Sequence, residues 1–228
     1  MLSLGSHGSA GGAAEYFDDH LAVGDYYLAA PGQWHPSRAV PALGLSSRVA
    51  RSDFAAIAAG YRREGEPLVQ GAGPRHRAGI DLTFSAPKSV SVLWAMSTEP
   101  RRSEILQAHR RAVAAALDLT QRLAIRVRIG KGGAADVPAQ MLVAVFDHDT
   151  SRTGDPQMHS HGFVCNCALR PDQKWGAIET RHLYAWHAAL GTAYRAEVAR
   201  QLEHLGYEIA EDGRAFQLRG VPERACEE

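Results

Sequence analysis

The spacing of hydrophobic residues alternates along the chain between a period of two and a helical period, which predicts an α+β fold. Ile80, Leu82 and Phe84 alternate with polar neighbours, as in a strand with one apolar face. Helical spacing marks four further segments: residues 52–63, 103–124 and 183–205, and a short stretch that follows Pro87. Ser52 is the expected N-cap of the first of these helices, and Gly206 is the expected C-cap of the last.

Two hairpins complete the predicted fold. Residues 141–148 and 159–169 have the composition of strands and are joined by the polar loop 149–158. A second hairpin, over residues 207–218, is expected to turn at Asp212-Gly213. Antiparallel neighbours of this kind predict a central antiparallel sheet with helices packed on it.

Composition places the chain among ordinary globular proteins. The 228 residues are 45% hydrophobic and 22% charged, and we expect them to form one compact domain. Cys165 and Cys167 stand too close together for an ordinary structural disulfide, and three cysteines in all suit a reducing compartment, the cytoplasm. The sequence contains neither an apolar run long enough to span a membrane nor a secretory signal. The run of Gly, Ser and Ala at 5–14 is expected to be a flexible lead-in.

Net charge gives no argument for nucleic-acid binding, because Lys and Arg together number 25 and Asp and Glu together also number 25. Basic residues nevertheless cluster in one segment, where only Glu104 and Asp118 oppose them. The cluster consists of Arg101, Arg102, Arg110, Arg111, Arg122, Arg126, Arg128 and Lys131. It is either a surface that contacts DNA or an ordinary solvated helix face.

Three histidines in the first hairpin form the sharpest chemical pattern. His159 and His161 are two apart on a strand and therefore project from the same face. If the hairpin forms, His148 lies beside them on the neighbouring strand, and the three imidazoles converge on a metal site. Cupins place a ligand Glu soon after such a pair, and short zinc modules need Cys-x-x-Cys pairs; both are absent here. The remaining classes are hydrolytic and phosphoryl-transfer enzymes.

Tyrosines and one aspartate are candidates for further chemistry. Tyr16, Tyr26 and Tyr27 lie near the N-terminus; a tyrosine hydroxyl becomes a nucleophile when a base or a nearby cation favours its phenolate. Asp81 stands opposite the apolar face of its strand, where it can orient an imidazole ligand or accept a proton. The ordinary alternatives are packing tyrosines and a surface aspartate.

The order of these residues resembles that of the MobF-type conjugative relaxases, which belong to the HUH endonuclease group. Two strings carry the resemblance: Asp81-Leu-Thr-Phe-Ser-Ala-Pro-Lys-Ser-Val-Ser and Asp155-Pro-Gln-Met-His-Ser-His. The likeness runs over nearly the whole chain. It implies an antiparallel five-stranded palm with helices on it.

The resemblance also implies a mechanism. His148, His159 and His161 would hold Mg²⁺ or Mn²⁺, and Tyr16 would attack the scissile phosphate at a plasmid origin of transfer, forming a 5′-phosphotyrosine. Tyr26 or Tyr27 would serve the second strand transfer. Asp81 would orient a histidine ligand and assist the tyrosine.

Partners follow from the same resemblance. Single-stranded DNA would be the substrate, with its flanking phosphates near four basic residues: Lys88, Arg152, Arg75 and Arg77. An accessory DNA-binding protein and a type IV secretion coupling protein are implied as partners of a monomer that is translocated while attached to DNA.

The chain departs from the family pattern in two places. Phe17 follows Tyr16 where relatives often carry a second tyrosine, and the sequence stops at Glu228 where relatives continue into a helical lid and a helicase. No P-loop string is present. Three alternative functions stay open: a rolling-circle replication initiator with the same chemistry, a non-catalytic single-stranded DNA-binding module, and a metal-dependent hydrolase that uses water.

Overall fold

A central antiparallel sheet organises the computed structural model, which describes residues 1–7, 32–151, 154–213 and 215–226. Its strands are β1 (Leu2–His7), β2 (Gln33–Trp34), β3 (Gly79–Ser85), β6 (Gln140–Thr150), β7 (Pro156–Leu169) and β8 (Trp175–Gly176). The order is β1-β3-β7-β6-β2, with β8 paired to the far end of β7. Two separate hairpins are formed by β4 (Arg126–Ile129) with β5 (Ala135–Pro138), and by β9 (Ile209–Asp212) with β10 (Ala215–Leu218). The predicted α+β fold is confirmed.

Helices cover both sides of the sheet. They are α1 (Ala39–Ala42), α2 (Arg51–Ala58), α3 (Lys88–Met96), α4 (Arg101–Leu123) and α5 (Arg181–His204). The two long helices and the short helix after Pro87 match the predicted segments. Within the described ranges, no helix is both long enough and apolar enough to cross a membrane.

One side of the sheet, the helix face, packs against α3, α4 and α5. Strand β3 turns Ile80, Leu82 and Phe84 to this side, where they are almost fully buried. The ring of Phe84 lies 5.3 Å from the ring of Tyr194 on α5. The alternation seen in the sequence thus places the apolar half of β3 in the larger of two cores.

The other side of the sheet, the histidine face, carries a second apolar core beneath α1 and α2. Phe54 of α2 packs edge-on against Phe163 at 5.0 Å and against Phe146 at 6.0 Å. Residues that alternate with the helix-face residues of β3, among them Asp81 and Thr83, lie on this side. The three histidines lie beyond Phe146 and Phe163 on the same face.

Two glycine positions behave as the sequence predicts. Gly206 follows α5 with φ +88°, and the next amide, that of Tyr207, donates to the carbonyl of Leu202. Gly213 has φ +57° in the turn between β9 and β10. Both conformations strain any residue that carries a Cβ, which is why glycine ends the helix and makes the turn.

Three local predictions are wrong. Residues 5–7 of the expected flexible lead-in belong to β1, because their backbone pairs with β3 and needs no apolar side chains for it; residues 8–14 lie outside the described residues. Helix α2 has Ala50 rather than Ser52 at its N-cap and ends at Ala58, shortly before Gly60 at φ +84°. The loop of the histidine hairpin is shorter than 149–158, since β6 and β7 extend beyond the predicted strand ends.

Candidate metal centre

The β6–β7 hairpin brings three imidazoles together on the histidine face. Its register pairs His148 with His159, and Phe146 with His161. Paired residues, and residues two apart on one strand, project to the same side of a sheet. Each pair of histidine rings has its centroids 5.1 Å apart, and one nitrogen of each ring lies within 4.8 Å of the other two. The convergence predicted from the sequence is present in the structure.

Asp81 fixes the ring of His161. Its Oδ2 accepts a hydrogen bond from Nδ1 of His161 at 2.6 Å and another from the hydroxyl of Thr83 at 3.0 Å. A carboxylate can only accept, so Nδ1 of His161 carries the proton and Nε2 keeps its lone pair. Asp81 is 6% exposed, which strengthens this charge-assisted contact.

A backbone carbonyl orients the second imidazole in the same sense. Nδ1 of His159 donates to the carbonyl oxygen of Gln157 at 2.8 Å, which leaves Nε2 of His159 as the atom with a lone pair. Burial lowers the pKa of His159, so the neutral form that can bind a metal persists to more acidic pH.

The donor set fits a transition-metal ion. His148, His159 and His161 are each half-buried. Three neutral nitrogen ligands leave a divalent cation its full charge and open coordination positions. An all-nitrogen set suits transition metals better than Mg²⁺, which prefers oxygen ligands.

A groove lies between the start of α3 and the middle of α5, next to Gln157. Its volume is about 880 Å³, and its lining includes Lys88, Ser85, Gln157, Thr192 and Arg195. Lys88 is the first residue of α3, and Gln157 is the residue whose carbonyl orients His159. The groove therefore carries two cations, and Gln157 joins its lining to the support of the cluster, although the three histidines themselves do not line it.

The other predicted site residues fall into two groups. Arg75 and Arg77 are exposed in the segment that precedes β3, whose first residue, Gly79, pairs with Cys165, whereas the histidines pair with the other end of the strand. Four residues lie outside the described residues: Tyr16, Tyr26, Tyr27 and Arg152.

Half of the basic cluster found in the sequence, four of its eight residues, has acidic partners among the described residues. Arg101 pairs with Glu104, Arg128 with Glu179, and Arg126 lies 3.8 Å from Asp136. Arg110 pairs with Asp147 beneath the histidines. These contacts favour a solvated and structurally paired surface over a continuous DNA-binding face.

Two contributors to the cluster were missed by sequence reasoning. Thr83 holds Asp81 from two residues away on the same strand, a spacing that the period-two pattern of β3 could have indicated. The backbone carbonyl of Gln157 has no signature in the sequence, because any residue type supplies the same oxygen.

Comparisons with known proteins agree on one family. The family model of the TrwC relaxase matches residues 10–228. The multifunctional conjugation protein TraI of Escherichia coli (strain K12) is 34% identical over 99% of this chain, which spans about 13% of that relative's length. A metal-bound structure of the conjugative relaxase TrwC with oriT DNA is 33% identical, with a TM-score of 0.85, over 100% of this chain and 78% of that one. A copper-bound TrwC complex with oriT DNA is 32% identical with a TM-score of 0.86, at the same coverage.

Proposed function

Because this chain belongs to the TrwC relaxase family, we propose that it nicks and rejoins one DNA strand at a plasmid origin of transfer, initiating conjugative transfer. Residues 1–228 act as one strand-transferase domain. The reaction is a transesterification: Tyr16 Oη attacks the scissile phosphorus, the bond from phosphorus to the 3′ oxygen breaks, and a 5′-phosphotyrosine remains. The tyrosine hydroxyl loses its proton and the leaving 3′ oxygen gains one. Because one phosphodiester bond replaces another, the step is reversible and the strand can be resealed.

The observation that carries this proposal is the histidine cluster, with the Nε2 lone pairs of His159 and His161 selected by their partners. His148, His159 and His161 would hold one divalent cation, as the metal-bound relative suggests. When bound, the ion supplies positive charge that neutralises the scissile phosphate during in-line transfer. We propose Mg²⁺ or Mn²⁺ as the physiological ion, with Mn²⁺ bound more tightly by the three imidazoles.

Asp81 has a positioning role in this scheme. Its carboxylate holds the ring of His161 and is itself held by Thr83, so the orientation of the ligand depends on it. We also assign to Asp81 the assistance of proton loss from Tyr16, by analogy with the family. Tyr26 or Tyr27 would carry out the second strand transfer.

The DNA would approach through the groove that contains Lys88 and Arg195, where phosphates meet cations close to the histidines. Arg75, Arg77 and Arg152 are further candidate phosphate contacts. We propose that the protein works as a monomer in the cytoplasm, with an accessory DNA-binding protein and a secretion coupling protein, and enters the recipient attached to DNA.

Covalent trapping tests this function. The protein is incubated with Mn²⁺ or Mg²⁺ and labelled single-stranded oligonucleotides that tile the transfer region of the plasmid that encodes it, and the products are run on a denaturing gel. We expect a metal-dependent band that carries the mass of the protein. Tyr16→Phe should abolish it, and Tyr207→Phe, which alters a tyrosine packed against Arg101, should not.

The other outcomes identify the alternatives. Cleavage without a covalent band would indicate a hydrolase that uses water, and binding without cleavage would indicate a non-catalytic module. Trapping only on a replication origin would favour a rolling-circle initiator.

A further inference from the structure

Directly behind the histidine cluster, on the helix face, Asp147 and Ser160 form a cross-strand pair. Asp147 immediately precedes His148, and Ser160 stands between His159 and His161. Successive residues of a strand project to opposite sides, so this pair occupies the reverse of the ligand positions. Any displacement of the pair therefore moves all three imidazoles.

A directed chain of hydrogen bonds holds the pair. The hydroxyl of Tyr194 lies 2.9 Å from Nδ1 of His109, and Nε2 of His109 lies 2.8 Å from Oγ of Ser160. Ser160 in turn donates to Oδ1 of Asp147 at 2.5 Å. Arg110 donates from Nε to Oδ2 of Asp147 at 2.7 Å.

These contacts have one consistent arrangement of protons. Ser160 gives its proton to the carboxylate of Asp147, so its oxygen accepts from the Nε2–H of His109. The unprotonated Nδ1 of His109 then accepts from the hydroxyl of Tyr194. Every donor has one acceptor, and the imidazole in the middle is neutral. Burial lowers the pKa of His109 to about 4, which agrees with this assignment.

Burial makes the arrangement rigid. Tyr194 and Ser160 are 0% exposed, His109 is 1% exposed, and the side chain of Asp147 is 14% exposed. A buried polar group that loses its partner destabilises the fold, because it has given up its hydrogen bonds to water without replacing them. Alternative rotamers of these side chains would each leave such a group unpaired, so the chain defines a single geometry.

The sheet itself gives less support at this point. The regular register of β6 and β7 ends at the pair His148 and His159, and a register shift separates that pair from Thr150. The pair Asp147 and Ser160 is thus the rung next to the last regular one before the hairpin tip. A side-chain lock at this rung limits the twist and slip that an irregular ladder permits.

From this geometry we infer that the chain Tyr194–His109–Ser160–Asp147–Arg110 is a positioning device that sets the spacing of the three metal ligands from the opposite face of the sheet. The inference rests on the proposed function, because it assumes that the three histidines bind a metal ion. The five residues of this hydrogen-bonded chain are positioning residues, since they would act on the metal only through the backbone of its ligands.

A matched pair of substitutions isolates the central hydroxyl. Both Ser160→Val and Ser160→Thr add a methyl group at the same buried Cβ and have nearly the same shape, but valine replaces the hydroxyl that links His109 to Asp147 with a second methyl group, whereas threonine keeps it. Affinity for Mn²⁺ alone is measured by calorimetry, at a temperature where circular dichroism shows each variant to be folded. We expect Ser160→Val to weaken Mn²⁺ binding about tenfold relative to Ser160→Thr, the lower end of effects seen for residues behind metal ligands.

Arg110→Gln gives a second measurement without altering the core, because the side chain of Arg110 is 34% exposed. We expect about a threefold loss of Mn²⁺ affinity, since a hydrogen bond to the carboxylate is weakened rather than removed. Asp53→Asn is the control for stability alone: it weakens the ion pair between Asp53, which is buried on α2, and the exposed Arg63, 2.7 Å away. It should lower the free energy of unfolding and leave Mn²⁺ affinity unchanged.

Equal Mn²⁺ affinity of the valine and threonine variants would overturn the inference, as would an equal loss in Asp53→Asn. If the wild-type protein binds Mn²⁺ and His159→Ala abolishes that binding, while Ser160→Val binds Mn²⁺ as tightly as Ser160→Thr, the inference alone fails. Absence of Mn²⁺ binding by the wild-type protein would overturn the proposed metal centre and the inference together.

Discussion

The two faces of the β6–β7 hairpin use the same strands in opposite ways. On the histidine face, the half-buried imidazoles of His159 and His161 keep their Nε2 lone pairs available, because their Nδ1–H groups donate hydrogen bonds to Gln157 and Asp81. On the helix face, one residue away along each strand, Asp147 and Ser160 are buried in a chain in which each proton has its acceptor. The histidine face keeps nitrogen atoms available to bind a metal, so these atoms cannot also hold the rings in place. The hydrogen-bonded residues on the helix face supply that rigidity.

Removal of a ligand should break this comparison most strongly. In His159→Ala only two imidazoles remain, and we expect Mn²⁺ affinity to fall by more than about 100-fold, beyond the range for residues behind the ligands. Formation of the covalent DNA adduct should fall below detection. Calorimetry with Mn²⁺ and the denaturing gel measure the two effects. His204→Ala, at the exposed end of α5, is the matched histidine control, and an equal loss there would contradict the assignment.

Substitution of the ligand's partner should have the next largest effect. Asp81→Asn keeps an oxygen that can accept from Nδ1 of His161 but removes the charge, so the basicity of Nε2 falls. We expect Mn²⁺ affinity to drop about 10- to 30-fold, as for other carboxylate partners of metal-bound histidines.

Asp118→Asn is the matched control for that substitution. Asp118 also holds a histidine, at 3.0 Å from Nε2 of His35, but it lies on α4 rather than in the cluster. Unchanged Mn²⁺ affinity in Asp81→Asn would remove Asp81 from the proposed metal centre.

Much of this architecture follows from local patterns in the sequence. The alternation of Ile80, Leu82 and Phe84 predicts β3 and its buried side, and residues 103–124 predict the long helix that the structure has at Arg101–Leu123. The short strand β1 was missed because Gly5 and Ser6 carry no apolar signal; they are held by backbone pairing with β3. Its formation depends on a partner more than 70 residues away, which no local pattern contains.

The candidate site divides in the same manner. The three histidines are predictable because a hairpin with an H-x-H strand has only one plausible register on a face. The support behind them is not predictable: Arg110 stands among basic residues of an alanine-rich helix, and nothing near it indicates Asp147 as its partner. Contacts of this kind depend on how α4 packs across the sheet, which is set by the whole core.

Acidification in the absence of metal should reveal the neutral His109 on the helix face. Burial lowers the pKa of His109 to about 4 from its ordinary value of 6.5, so between these values the unfolded chain binds a proton that the folded protein excludes. Stability is therefore complete above pH 6.5 and falls as the pH falls towards 4. We expect His109 to account for a loss of about 1–2 kcal/mol between pH 6.5 and pH 5.

Urea unfolding at these two pH values measures that loss. His109→Gln should be less stable at pH 6.5 but should show a smaller decrease on acidification than the wild-type protein. His35, His76 and His159, whose pKa values burial also lowers, are present in both proteins, so their contributions cancel in the difference. An identical decrease in the two proteins would contradict a neutral His109 in the folded state.

The smallest expected effect tests how far support extends on the histidine face itself. Thr83 donates to the Oδ2 of Asp81 at 3.0 Å, so it acts on the metal only through Asp81 and His161. Thr83→Val removes the hydroxyl with little change of shape, and Thr83→Ser keeps it. One hydrogen bond to a buried carboxylate stabilises it by about 0.5–1.5 kcal/mol, but only part of this free energy affects the orientation of His161. We therefore expect Thr83→Val to bind Mn²⁺ roughly two- to threefold more weakly than the wild-type protein. Calorimetry should show Thr83→Ser within error of the wild-type protein. If Thr83→Val instead weakened binding as much as Ser160→Val, support from the two faces would be equal, and the division of roles between them would not hold.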